Sequence, residues 1–260
     1  MRITSIGKNL YPNLNFQGVK FRAISQLPKP SDFDYSPLRT PTKLANQLEG
    51  DYKVALKNLF FKDGKLNEDV KKFFDETKFA FKNFEGAEET STIGDMLAKS
   101  AKEVSDFEGE LYHATFSIET AQKIRQEGFK PEFISRTKFG PGVYFAFSEG
   151  EARNYNSTVL TACCRGKCAN MQPKYYDNIA GSPDLLRKLC EFTGLKSQGY
   201  PTHNIEFSCC TKMINEYCRE FLSKNLGLDF TYGADRSGCA LIAHNLDAIS
   251  DIKFINPAYN

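Results

Sequence analysis

From about residue 108 onward, short apolar segments of strand character alternate with short, well-capped helices, and few architectures accept that rhythm. Glu110-Leu-Tyr-His-Ala-Thr reads as a strand running into a turn. Ser117 can cap a helix whose inner face is Ile118, Ala121 and Ile124, and Gly128 stops it. Phe139-Gly-Pro-Gly-Val-Tyr-Phe-Ala is a glycine turn feeding a buried strand, and Ser148 with Glu151 forms a capping box for a helix carrying Ala152 and Tyr155. Val159 to Cys164 is strand-like, and Ser182-Pro183 opens a helix that Gly194 closes. A further helix spans roughly 210–225, and the last strands fall at 239–244 and 252–255. Mixed short strands with helices at the margins predict an α+β domain over residues 107–260.

Upstream the texture differs. Residues 1–38 read as an extended or disordered arm, because Pro28, Pro30 and Pro37 deny it any long helix. Within it, Phe16-Gln-Gly-Val-Lys-Phe is a candidate for one short strand. Residues 39–106 predict a helical accessory module. Thr40-Pro41 opens the first helix, along which Leu44, Leu48, Val54, Leu56 and Leu59 make an apolar stripe. Asp63-Gly64 is a turn; Val70, Phe73, Phe74, Phe79 and Phe81 populate a second helix or two, and Thr92 to Val104 is another amphipathic segment.

A formal net charge of +2 makes no general electrostatic demand for nucleic acid, so none is expected as a partner. No apolar run approaches the roughly 20 residues that span a bilayer. The opening Met-Arg-Ile-Thr-Ser-Ile-Gly is not followed by the apolar stretch of a standard secretory signal. The expectation is a cytoplasmic protein, or an effector exported by a non-standard route. Cys163, Cys164 and Cys168 lie close together, as do Cys209, Cys210 and Cys218 with His203 nearby. Neither group has the paired C-x-x-C spacing of a strong zinc site, so buried free thiols and no metal are expected.

The residues that carry chemistry sit where strands end. His113 closes one strand, Tyr144 lies inside another after the glycine turn, and Tyr155 follows one helix later. Two tyrosine rings that face each other make a slot for a flat ring, which burial and stacking stabilise. Gly140 and Gly142 let backbone approach a ligand or a neighbouring strand with no side chain between. Each residue also has an ordinary structural reading, as a satisfied histidine, a core tyrosine or a hairpin turn. Order and spacing shift the odds.

Leu111-Tyr-His-Ala-Thr115, the helix to Gly128-Phe-Lys-Pro131, Phe139-Gly-Pro-Gly-Val-Tyr-Phe-Ala and Ala152-Arg-Asn-Tyr155 together resemble the catalytic core of the poly(ADP-ribose) polymerase and diphtheria-toxin-like ADP-ribosyltransferases. The resemblance covers about 150 residues, interrupted by an insert around 172–230. It implies a split mixed or antiparallel sheet that binds NAD as substrate, with a protein as the acceptor of ADP-ribose. His113 would hold a ribose hydroxyl, and Tyr144 and Tyr155 would sandwich the nicotinamide. Ala114 would bind the carboxamide through its backbone, where the family has glycine, with Thr115 and Gly142 completing the NAD-binding set. Ala152 stands where relatives often place a serine. Cys239 falls at the position of the catalytic glutamate, and a thiol does not replace a carboxylate there. Asp235 and Glu206 are carboxylates from the unaligned part of the chain. Relatives without the glutamate transfer a single ADP-ribose or are inactive. The resemblance therefore implies mono-ADP-ribosyl transfer, a catalytically silent NAD- or ADP-ribose-binding module, or a secreted ADP-ribosylating toxin. The tRNA 2′-phosphotransferases share the fold, but this chain has no basic constellation to grip an RNA phosphate.

Overall fold

A computed structural model describes residues 41–82, 86–130, 139–172, 174–195, 205–235 and 238–255. The arm at 1–38, the cap at Thr40, Pro131, His203 and the side chains of Leu44, Leu48 and Asp235 lie outside what is described. The chain is α+β and forms two compact units, one of residues up to Lys72 with Pro183–Ile214, the other of Phe73–Ser182 with Asn215 onward.

In the first unit, helix α1 (Pro41–Phe60) buries Tyr52, Leu56 and Leu59 at the four- and three-residue steps of one helical face. A two-residue hairpin follows, β1 (Phe61–Lys62) and β2 (Lys65–Leu66), turning at Asp63 and Gly64 with positive φ at both. Helix α2 (Glu68–Glu76) begins here. Much later in the chain come α7 (Pro183–Thr193) and α8 (Ile205–Glu220). Leu185 and Leu189 are fully buried on α7, and the Tyr52 hydroxyl donates to the buried Glu206 carboxylate at 2.8 Å.

The second unit opens with a hairpin, β3 (Phe79–Lys82) and β4 (Glu88–Ser91), where helix was expected. Phe79 and Phe81 point inward while Ala80 and Lys82 do not, a period of two that a strand satisfies and a helix cannot. Helix α3 (Ile93–Ser100) carries a full capping box, Thr92 with Asp95. It ends at Ser100 because β5 (Ala101–Thr115) starts at the next residue. After it come α4 (Ile118–Glu127), β6 (Val143–Phe145), α5 (Glu149–Arg153), β7 (Thr158–Met171) and α6 (Tyr175–Ala180). The helix expected at 210–225 is α8 continued by a π-turn, Phe221–Asn225. The last strands are β8 (Phe230–Asp235), β9 (Gly238–Ala243) and β10 (Ile249–Ile255).

The sheet is mixed and turns on β7. One flank of β7 pairs with β5 along its whole length, antiparallel. The other flank is divided: β10 takes residues 159–164, antiparallel, and β8 takes residues 168–170, parallel. At the division the Asp229 carboxylate accepts from the Lys167 amide at 2.8 Å and from Asn245 Nδ2 at 2.7 Å, satisfying backbone that has no strand opposite. Beyond β8 the order runs to β9 and β6, both antiparallel steps. Just past β6, Ala146 exchanges two backbone hydrogen bonds with Tyr112 of β5, at 3.0 and 2.8 Å. Five strands thus close into a ring, β5–β7–β8–β9–β6 and back. Leu111, Val143, Phe145, Ala162, Phe230 and Leu241 pack together as its apolar core.

Candidate functional site

Helix α4 leaves the end of β5 with Ser117 as its cap, the hydroxyl accepting from the Thr120 amide at 3.2 Å, and Gly128 ends it at φ 75°. Between that helix, the last residues of β5 and the start of β6 lies a cavity of about 560 Å³. Small-molecule sites range from roughly 300 to 1,000 Å³. His113, Ala114 and Thr115 line it from β5, Gly142 to Tyr144 from the facing strand, and Asn156 from the turn before β7. Lys123, Ile124 and Glu127 line it from α4, with Phe129 and Lys130 just beyond.

His113 Nδ1 lies 2.9 Å from the carbonyl oxygen of Tyr144. A carbonyl only accepts, so Nδ1 carries the hydrogen and, in the neutral ring, Nε2 is the accepting nitrogen. The imidazole is held edge-on by Phe129, centroids 5.0 Å apart at 83°, and leans on Phe145 at 5.8 Å. Phe129 and Phe145 meet each other at 5.5 Å, so three rings fix one another. Lys130 forms an ion pair with Glu127 and holds that carboxyl below its ordinary range through hydrogen bond and charge.

Tyr144 spends its hydroxyl on the glycine turn. It accepts from the Phe139 amide and donates to the Gly140 carbonyl, both at 2.7 Å, and its ring lies nearly parallel to Phe139 with centroids 6.3 Å apart. Gly140 has φ 112°, which an L side chain rarely adopts. Gly142 is required by a strand rather than by a ligand: a Cβ there would stand 2.4 Å from Ile242 Cγ2 and 2.5 Å from the Ala243 carbonyl. The turn is also pinned by His244, whose Nδ1–H donates to the Pro141 carbonyl at 2.8 Å while Nε2 accepts from the Thr231 hydroxyl at 2.8 Å. His244 is wholly buried, and burial pulls its pKa down to about 4.

Five residues singled out from the sequence therefore share the cavity: His113, Ala114, Thr115, Gly142 and Tyr144. Four others are elsewhere. Ala152 is buried with Ala146 and Val159, and Ala114 packs against that cluster. Tyr155 is 51% exposed and is not among the lining residues; the ring parallel to Tyr144 is Phe139. Cys239 lies on β9 opposite Ala234 and hydrogen-bonds Tyr232, a contact that holds the tyrosine hydroxyl above its ordinary range. Glu206 bonds Tyr52 in the first unit. Phe129 and Lys130 stand in the Gly128-Phe-Lys-Pro131 stretch that carries the resemblance but had no role assigned from the sequence, and Lys123, Asn156 and His244 went unmarked there.

No family model matches the chain, and no curated protein matches it. Among solved structures, the M. tuberculosis MbcT–MbcA toxin–antitoxin complex is similar at 10% identity with a TM-score of 0.30, the match covering 64% of this chain and 93% of that one. A superposition that loose does not establish a shared fold. Among the described residues, no helix is long and apolar enough to cross a membrane, and no group of three or more His, Cys, Asp or Glu could hold a metal ion.

Proposed function

We propose that the chain binds NAD in the cavity beside His113 and transfers one ADP-ribose to a protein acceptor, releasing nicotinamide. One observation supports this above others. The β5 motif and the glycine-turn motif, far apart in sequence, are locked together by the His113–Tyr144 bond on the wall of a single cavity. In its neutral form His113 offers Nε2 as an acceptor for a ribose hydroxyl, Phe129 and Val143 provide apolar surface for a flat ring, and Lys123 suits the charge of a diphosphate. In the reaction the bond between C1″ and the nicotinamide nitrogen breaks, and the acceptor nucleophile forms its bond at C1″. The chain's part is to hold the bent dinucleotide and exclude water. Glu127, the acidic residue of the described lining, is tied to Lys130, and in this reading a carboxylate of the acceptor activates the nucleophile.

A second reading, binding of NAD or ADP-ribose without turnover, is favoured by Cys239. Its thiol is engaged by Tyr232, and it is not a lining residue of the cavity. Incubation of the purified protein with NAD and a cell extract separates the two. Transfer predicts an ADP-ribosyl adduct and free nicotinamide, both falling about a hundredfold or more in His113→Ala. Calorimetric binding without nicotinamide release selects the second reading, and no binding of NAD at millimolar concentration overturns both.

A further inference from the structure

The carbonyls of the glycine turn are held one by one by side chains. That of Phe139 accepts from the Tyr175 hydroxyl on α6 at 3.0 Å, that of Gly140 from Tyr144 at 2.7 Å, and that of Pro141 from His244 Nδ1–H at 2.8 Å. Gly140 makes room for the first contact, since a Cβ there would run into the Tyr175 hydroxyl. His244 is fixed in turn. Its amide donates to the Asp229 carbonyl at 2.9 Å, and its carbonyl accepts at 2.9 Å from Arg219, which is paired with Glu216. The Thr231 hydroxyl on β8 donates to its Nε2, which keeps the imidazole hydrogen on Nδ1, toward Pro141. Tyr175, Thr231 and His244 are buried, and none of them lines the cavity.

We propose that His244, Thr231 and Tyr175 are positioning residues of the cavity. They hold the turn so that the Tyr144 carbonyl stays where it keeps His113 protonated on Nδ1, with Nε2 as the acceptor. Phe129 and Phe145 fix the plane of the His113 ring without choosing between its nitrogens; the Tyr144 carbonyl makes that choice. A hydrogen bond weakens steeply as its acceptor tilts out of line, so a small shift of the turn is enough to release the tautomer. Burial alone requires only that each carbonyl find some donor. Donors set on α6, on β8 and at the end of β9 also fix where each carbonyl points, which is the support a preorganised site needs.

The proposal concerns the wall of the cavity before anything is bound, so it stands or falls separately from the identity of the guest. Its test is long-range proton–nitrogen correlation NMR of the full chain, labelled at the histidine ring nitrogens, at neutral pH and with no ligand added. His113→Ala assigns His113 among the chain's three histidines. The wild type should show His113 chiefly with hydrogen on Nδ1. His244→Leu, which has no donor for Pro141, and Tyr175→Phe, which lacks one hydroxyl, should each shift His113 toward the form with hydrogen on Nε2. His244→Asn, whose amide can donate from near the Nδ1 position, should restore the wild-type pattern, a rescue that a general loss of stability does not produce. A wild-type His113 with hydrogen chiefly on Nε2 overturns the proposal. So does a His113 signal unchanged in Tyr175→Phe or in folded His244→Leu, or an Asn variant no better than Leu. If His244→Leu fails to fold, the wild type and Tyr175→Phe decide.

Discussion

His244 is a base held neutral because charging it where it is wholly buried would strand a cation away from water. Its pKa in the folded chain is about 4, against an ordinary value of 6.5, so between those values the unfolded chain binds more protons. Stability is therefore complete above about pH 6.5 and falls as the pH drops toward 4. The loss reaches roughly 3 kcal/mol, at 1.4 kcal/mol per unit. Urea unfolding of the second unit should show its midpoint dropping across that window, and His244→Gln should flatten the slope. Tyr144→Phe tests a neighbouring part of the same anchorage. It keeps the ring beside Phe139 but leaves the Phe139 amide and the Gly140 carbonyl without their partner. A loss of about 1–3 kcal/mol in thermal unfolding is expected.

Among elements, the register of β6 against β9 depends on the absence of one methyl group. Gly142→Ala would drive a Cβ into the Ala243 carbonyl and Ile242, and backbone cannot swing aside as a flexible side chain can. Chemical denaturation should show a loss of about 1–3 kcal/mol. Gly150 on α5 has nothing within 4 Å of a Cβ, so Gly150→Ala should be neutral or stabilise by up to about 1 kcal/mol. The elements legible in the sequence were those whose signals are local. Ser117 and Gly128 delimit α4 because a cap is a bond between near neighbours. The first nine residues of β5 were not legible: Glu103, Asp106 and Glu108 present no apolar alternation, and the strand persists there because β7 pairs with it from far along the chain. The same distinction separates the cavity's residues. His113 and Tyr144 are embedded in recognisable strand motifs, whereas His244 and Phe129 acquire their roles only from contacts that the closed ring creates.

For the second unit as a whole, the ring rests on unequal joints. β7 meets β5 in a long ladder, while β5 and the end of β6 are fastened by the two bonds between Tyr112 and Ala146. Native-state hydrogen exchange should find the Tyr112 and Ala146 amides exchanging earlier than those of Leu160 and Ala162, on the part of β7 flanked by β5 and β10, by a free-energy gap of about 1–3 kcal/mol. Equal protection would mean that the ring opens only by global unfolding. His113 stands one residue from this fastening on one side, and Tyr144 two residues from it on the other. A guest lodged between them acts as a rivet across the weakest seam of the barrel, and its arrival will register as slower breathing of a wall it need not touch.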